Sequence, residues 1–327
     1  MKIAFLTELP FHGKTLPTYS NMRTEFAWMF ALNADHKHLG NFTNVRDYDH
    51  VFIIFPKGQL NLNIVGAKIS SNPNPYTALL SSNWLEVLKQ TNKRVYFVQE
   101  GPSWIFTDLE LQDQLNFVNM LNSVDAIFAH NESDVTYYEG LAPSTSVQVM
   151  RTLMIDTLIK NIEPQSEEKV IIGGNFARWY GGLESYLVAN EIDIPIWGQT
   201  SHAKRDHEEQ LVAHLPRVMW VDWMKQLSSF KYGVHLMPTV AAGTFALNCA
   251  YFGIPCIGNN KVDTQKLCHP YLSVNIDDVR SAKSMLRELH NNKDFYEECS
   301  KSAKHYYEKY YSVDKWKDRM ESILKKL

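Results

Sequence analysis

The chain has 327 residues, 45% hydrophobic and 21% charged, with a formal net charge of −3. That length holds two ordinary domains or one large one, and the composition is that of a folded globular protein. The near-neutral balance excludes a global pull toward nucleic acid or anionic lipid. Four cysteines, Cys249, Cys256, Cys268 and Cys299, match no metal-site or CxxC spacing. They are expected to be reduced core thiols of a cytosolic protein, with no metal bound. The apolar run in MKIAFLTELP is too short for a signal peptide and is closed by Glu8. No run approaches 18 apolar residues, so no membrane span is expected.

Short apolar runs alternate with amphipathic stretches along the first half. KIAFLTE (2–8) predicts a strand and NMRTEFAWMFALNADH (21–36) a helix. HVFIIFP (50–56) and RVYFVQE (94–100) predict strands, each followed by a helical pattern, at 76–91 and 109–124. AIFAHN (126–131) and VQVMRTL (147–153) are further strands. Residues 156–169, DTLIKNIEPQSEEK, break the alternation and read as a linker. It then restarts with strands predicted at 170–175, 194–199, 218–223, 232–238, 254–259 and 272–277. Such runs, buried on both faces and separated by helices, predict a parallel sheet in each half, with right-handed crossovers. The chain therefore reads as two doubly wound α/β halves of similar size. The tail starts at an N-cap candidate, Ser312, and carries Val313, Trp316, Met320, Ile323 and Leu324 on one side of an amphipathic helix.

Two loops of the second half suit an anion. In GGNFARWYGG (173–182), glycines such as Gly174 let backbone approach a ligand, and Arg178 offers a planar cation to phosphate. In HLMPTVAAGTFALNCAYFGIPCIGNN (235–260), Gly243 and Thr244 stand where a helix begins. Free N–H groups and the helix dipole make such a point an anion site. Ordinary strand-to-helix connections remain the plain alternative for both. Neither loop is a Walker A loop or GxGxxG, so ATP hydrolysis and NAD binding lose support.

With its two α/β halves, the Gly-rich loop with Arg178, and the P…G-T…GIP pattern, the chain resembles nucleotide-sugar glycosyltransferases of the two-Rossmann-domain type, GT-B. The resemblance covers nearly the whole chain, with recognisable motifs only in the second half. It implies an N-terminal acceptor domain over 1–155, a linker over 156–168 and a nucleotide-sugar domain over 169–311. The two domains would face a cleft, and a C-terminal helix, 312–327, would cross back onto the first. It implies a UDP-sugar donor and no obligatory cofactor. Arg178 falls on the family's diphosphate-binding Arg, and Gly243 and Thr244 on the loop that cradles the diphosphate. Asn248 falls where many relatives have a ribose-binding Glu. Two departures stand out: Val240 replaces a frequent acidic residue, and no Lys lies five residues after Arg178. Lys204 or Arg205 would supply the missing cation, and Gln199 would read the base edge.

In the acceptor half, the long loop TELPFHGKTLPTYSNMRTEFAW (7–28) is a functional candidate, with Tyr19, Arg23 and Glu25 as acceptor contacts. Glu25 suits a first-turn helix charge equally well. Glu100, at the end of a strand and followed by Gly101, Pro102 and Trp104, is the preferred general base on an acceptor hydroxyl; His12 is the runner-up. A solvated turn carboxylate is the alternative for Glu100. AHNESDVTYYEGL (129–141) reads as structural.

The short length and NMRTEFAW resemble phage enzymes that attach glucose or arabinose to 5-hydroxymethylcytosine in DNA. Residues 1–160 carry 12 Lys+Arg against 15 Asp+Glu, which is no basic footprint, although Lys14, Arg23, Lys89, Lys93 and Arg94 would form a local patch. A bacterial envelope or capsular polysaccharide transferase and a non-catalytic nucleotide-sugar-binding protein are the alternatives. The chain is expected to act as a monomer in the cytoplasm, the host's if it is phage-encoded.

Overall fold

A computed structural model describes residues 1–7, 13–14, 24–39, 44–54, 84–108, 111–174, 176, 180–199, 211–216 and 218–327. They fall into two compact units. The N-terminal strand, Glu25–Met150 and Lys317–Leu327 form the first, and Arg151–Trp316 the second.

The first unit is built on β1 (Ile3–Thr7), β2 (Gly13–Lys14), β3 (Asp35–His38), β4 (His50–Ile54), β5 (Val95–Val98), β6 (Ala126–Ala129) and β7 (Ser146–Val149). Their spatial order is β2-β3-β1-β4-β5-β6-β7. All neighbours are parallel except β2, which runs antiparallel to β3. Helices α1 (Thr24–Ala31), α2 (Trp84–Thr91), α3 (Leu111–Leu121) and α4 (Glu132–Leu141) separate them. β1, β4, β5 and β6 are covered on both faces and apolar at nearly every position, which is why they were legible as continuous runs; β3, Asp-His-Lys-His, was not. Period-2 alternation sorts the side chains. Phe5, Phe52, Tyr96 and Phe128 form an aromatic layer with Trp28, in which Phe5 stacks on Phe52 at 4.6 Å. Leu6, Ile53, Phe97 and Ile127 join the other core, with Leu88 and Leu121.

The second unit is built on β8 (Glu167–Ile172), β9 (Ile196–Gln199), β10 (Ala213–Leu215), β11 (Phe230–His235), β12 (Cys256–Asn259) and β13 (Ser273–Val274). The order is β10-β9-β8-β11-β12-β13, all parallel. Its helices are α5 (Gly182–Ala189), α6 (Trp220–Leu227), α7 (Thr244–Phe252), α8 (Asp263–Cys268), α9 (Val279–Asn291) and α10 (Lys293–Tyr310). The strand order reverses between β8 and β11. In open α/β sheets that reversal leaves a crevice beyond the carboxyl ends of the strands, where ligands bind. In the first sheet the reversal falls between β1 and β4, and the segments that follow, 8–12 and 55–83, lie outside the described residues. All four cysteines are free and buried in the second unit.

The chain closes with α11 (Val313–Leu324), whose buried residues are Trp316, Met320 and Leu324. Trp316 Nε1 donates to the Arg151 carbonyl at 2.9 Å, and Arg319 Nη2 to the Val149 carbonyl at 3.0 Å. The helix thus returns to the first unit, to which its last turns belong.

Several predicted elements are corrected. VMWVDW is not a strand. Trp220, Trp223, Met224 and Leu227 recur at helical spacing and are buried on one face of α6. The strand of that region is β10, just upstream. The helix predicted over 21–36 is α1, ending at Ala31; Asn33, at φ +48°, turns the chain into β3. The linker ends earlier than expected, because β8 already begins at Glu167. The strand at 272–277 shrinks to Ser273–Val274. AHNESDVTYYEGL supplies the last residue of β6 and then α4. No described helix is long and apolar enough to cross a membrane.

Candidate functional site

The candidate site lies at the β8/β11 reversal. β8 ends at Ile172 and the chain turns through Gly173 and Gly174, the latter at φ +88°. The loop returns at Gly181, which N-caps α5 in a left-handed conformation, φ +63°. A Cβ on Gly181 would stand 1.8 Å from the Leu236 carbonyl oxygen, so only glycine lets this loop meet the one that follows β11. That second loop runs from Leu236 to Gly243, the N-cap of α7, at φ +69°. A Cβ on Gly243 would meet Thr264 Oγ1 at 2.1 Å and Val262 Cγ1 at 2.4 Å.

The loops are cross-braced. Thr264 Oγ1 donates to the Gly243 carbonyl at 2.8 Å, and Asn259 Nδ2 to the Met237 carbonyl at 2.9 Å. The Leu236 amide donates to Ser185 Oγ at 2.9 Å. Sequence reasoning missed these three polar partners; their only signal was position at a strand end, for Asn259, or on a first helical turn, for Thr264 and Ser185. Both helices start on glycine without a side-chain cap. Their first-turn N–H groups and positive dipole ends are therefore available to an anion. α7 has no acidic residue in its first turn, whereas α5 has Glu184.

The structure brings Gly174, Gly243 and Thr244 together at this edge. Thr244 is the first residue of α7 and is exposed. Gln199 ends β9, one strand from β8, and is partly buried. Val240 is partly buried in the second loop. Asn248 is different: it is only 6% exposed. With its amide turned to satisfy both ends, its nitrogen donates to the Thr244 carbonyl at 3.2 Å and its oxygen accepts from Trp223 Nε1 at 3.3 Å. These bonds tie α6 to α7 and engage the amide expected to hold ribose. Arg178, Lys204 and Arg205 lie outside the described residues.

In the first unit, Glu100 is partly buried beyond the end of β5. Its neighbour Gln99 fixes the turn: Nε2 donates to the Gly101 carbonyl at 2.9 Å and to Asp134 Oδ2 at 3.1 Å. Gln99 Oε1 accepts from the His130 amide at 3.1 Å, and Asn131 Nδ2 also donates to Asp134, at 3.0 Å. Trp104 follows, 43% exposed, before the short 3-10 turn Ile105–Asp108. Glu25 sits in the first turn of α1 and is 4% exposed, the placement of a buried helix-start carboxylate. His12, Tyr19 and Arg23 lie outside the described residues, as does the side chain of Lys14. The proposed basic patch is tied down elsewhere: Lys89 Nζ donates to the Ser123 carbonyl at 2.6 Å, Lys93 pairs with Asp49 at 2.6 Å and Arg94 with Asp125 at 3.5 Å.

In sequence, no protein-family model and no curated protein matches the chain. In structure it is similar to S. aureus TarM, solved with UDP and an alpha-GlcNAc-glycerol (TM-score 0.60, 11% identity, 84% of this chain and 55% of that one). The chain spans about half the length of TarM. It is similar to HepE of Anabaena in complex with UDP and glucose (TM-score 0.69, 10% identity, 100% of each chain). It is also similar to an alpha-glucosyltransferase in complex with UDP and a 13-mer DNA containing an HMU base (TM-score 0.64, 11% identity, 99% of each chain). Two Rossmann-like sheets, parallel apart from the short β2, and a C-terminal helix, with the likeness to these chains along their whole length, give the protein the GT-B fold.

Proposed function

We propose that the chain is a glycosyltransferase that moves a sugar from a UDP-sugar to a hydroxyl acceptor, with 5-hydroxymethylcytosine in DNA as the preferred acceptor. The observation that carries this reading is the pair of uncapped, glycine-started helices on either side of the β8/β11 reversal. Two sets of N–H donors at one sheet edge suit a diphosphate. The likeness to chains solved with UDP supports UDP as its carrier, and the likeness to a DNA-bound glucosyltransferase supports DNA as acceptor.

In this reading the α5 and α7 starts, with Arg178, stabilise the departing UDP, which needs charge compensation as the glycosidic bond breaks. Lys204 adds a second cation and Gln199 meets the base edge. In the first unit Glu100 takes the proton of the acceptor hydroxyl, with His12 as the alternative base. A base in duplex DNA must leave the stack to react, and the exposed Trp104, with Tyr19, offers an aromatic surface to receive it. The sugar is a pentose, arabinose, or a hexose, glucose.

A second reading, a transferase for envelope or capsular polysaccharide, is favoured by the likeness to TarM, solved with a GlcNAc-glycerol. One experiment separates the two. The protein is incubated with a panel of UDP-sugars and DNA containing 5-hydroxymethylcytosine, and digested nucleosides are weighed by mass spectrometry. A pentose or hexose added to the nucleoside supports the DNA reading. UDP release with unmodified DNA moves the acceptor to a saccharide. No donor consumption with any acceptor overturns the transferase reading.

A further inference from the structure

His235 ends β11, between the two loops of the β8/β11 site. Its ring meets Phe245, in the first turn of α7, edge to face, with centroids 5.2 Å apart and planes at 70°. On its other side lies the backbone of Gly173. A Cβ there would stand 2.7 Å from His235 Cγ and 2.8 Å from the Phe245 ring. The imidazole is thus held between a backbone and an aromatic ring, which fixes its orientation before any ligand arrives.

Nε2 points to the Gly174 turn, where an added Cβ would lie 3.3 Å from it. It is buried and makes no hydrogen bond with any described residue. Burial pushes the imidazole down to about 4, so at neutral pH the ring is uncharged and keeps one N–H. His235 as a whole is partly buried, and a fully buried histidine of the same unit provides the contrast. His269 is also pushed down to about 4 by burial, yet both of its nitrogens have partners. Its Nδ1 accepts from the Cys256 amide at 3.4 Å, and its Nε2 faces the Ala246 carbonyl oxygen at 3.0 Å. His269 is a satisfied core residue. Native structures rarely leave a buried polar nitrogen without a partner, and where they do a ligand-binding role is one cause.

We infer that His235 is a positioning residue for the donor, its Nε2–H donating a hydrogen bond to the diphosphate held between the Gly174 turn and the start of α7. The inference rests on the UDP-sugar reading above. An anion is drawn to this point by two helix starts, and a preset neutral donor adds direction without adding charge.

The test is titration of UDP, and of uridine as the phosphate-free probe, into wild type, His235→Phe and His235→Gln. Phe keeps the ring contact with Phe245 and removes the donor; Gln restores an N–H near the same place. His235→Phe should lose about tenfold or more in UDP affinity, the size of a hydrogen bond to a charged group. Uridine affinity should stay, and Gln should recover most of the loss. Unchanged UDP affinity in His235→Phe, or equal losses for UDP and uridine, overturns the assignment. Should His235→Phe not fold, His235→Leu enters the same comparison. A readout without substitution is the His235 Nε2 resonance in imidazole-¹⁵N-labelled wild type: it should move on adding UDP and stay on adding uridine, and no movement overturns the proposal. A wild type that binds no UDP at all overturns the nucleotide reading itself, whereas wild-type binding with an indifferent His235 overturns only this step.

Discussion

In the first unit, the turn after β5 carries Gln99, whose amide is used entirely by protein partners: Gly101, Asp134 and His130. In the second, the turns after β8 and β11 lead into helices whose glycine caps bring no side chain, and His235 Nε2 among them has no described partner. Both regions lie beyond the carboxyl ends of parallel strands, where α/β sheets place ligands. The difference teaches how to read such edges. Polar groups that satisfy one another build a frame, and Gln99 holds the backbone from which Glu100 projects. Polar groups that the fold leaves unsatisfied mark the place prepared for something else.

Four substitutions or titrations would break or sharpen that contrast. The largest effect is expected at Glu100. Glu100→Gln should lower the transfer rate by about 10²- to 10⁴-fold, the usual scale of general-base catalysis, while leaving UDP affinity alone. A rate equal to wild type removes Glu100 as the base. Next is Gly181→Val. With φ at +63° and the Leu236 oxygen 1.8 Å from the added Cβ, the loops must part. We expect about 3 kcal/mol or more of lost stability in urea denaturation, together with weakened UDP binding. An unchanged urea midpoint contradicts the close approach of the two loops.

The third is a pH series. His235 and His269 are both held near 4 by burial, against an ordinary value of 6.5. The unfolded chain therefore takes up protons that the folded chain refuses. Stability from these rings is complete above pH 6.5 and is lost as pH falls toward 4, by on the order of 3 kcal/mol per ring. Urea midpoints at pH 7, 5.5 and 4.5 should fall in that order, and His269→Gln should remove about half of the slope due to the pair. A midpoint constant across this window shows that the rings are not held neutral. The smallest effect belongs to Gln99→Leu. It strips partners from the His130 amide and the Asp134 carboxylate and should cost about 1–3 kcal/mol, with UDP affinity unaffected. Lost UDP affinity would show that the first unit's frame reaches the proposed nucleotide site.

Much of the fold was legible because parallel strands buried on both faces leave no room for polar residues. KIAFLTE, HVFIIFP and AIFAHN announced themselves in that way. β3, with the sequence Asp-His-Lys-His, had no such signature. It is a strand because β1 and β2 pair with it on both sides and its polar side chains find partners, as His36 does with Thr7 Oγ1 at 2.6 Å. VMWVDW misled because Val and Trp favour strands, and the helical spacing of α6 shows only when Met224 and Leu227 are counted. At the site, Gly243 and Thr244 were placed correctly at a helix start, because small residues between a strand and a helix have few other uses. Asn248 was not readable, since its partner Trp223 lies 25 positions earlier, in the segment taken for a strand. His235 stood within the stretch that prompted the site. A single histidine in an apolar strand reads as core until its neighbours are seen.

The four buried cysteines have a practical consequence. Burial raises the thiols of Cys249, Cys268 and Cys299, the last to about 12, and thiolate is the form that reacts with maleimides. A cysteine introduced on an exposed loop would react far ahead of these three. Fluorophores or spin labels can therefore be attached at chosen positions with the four native cysteines left in place, to test whether a loop moves on adding nucleotide.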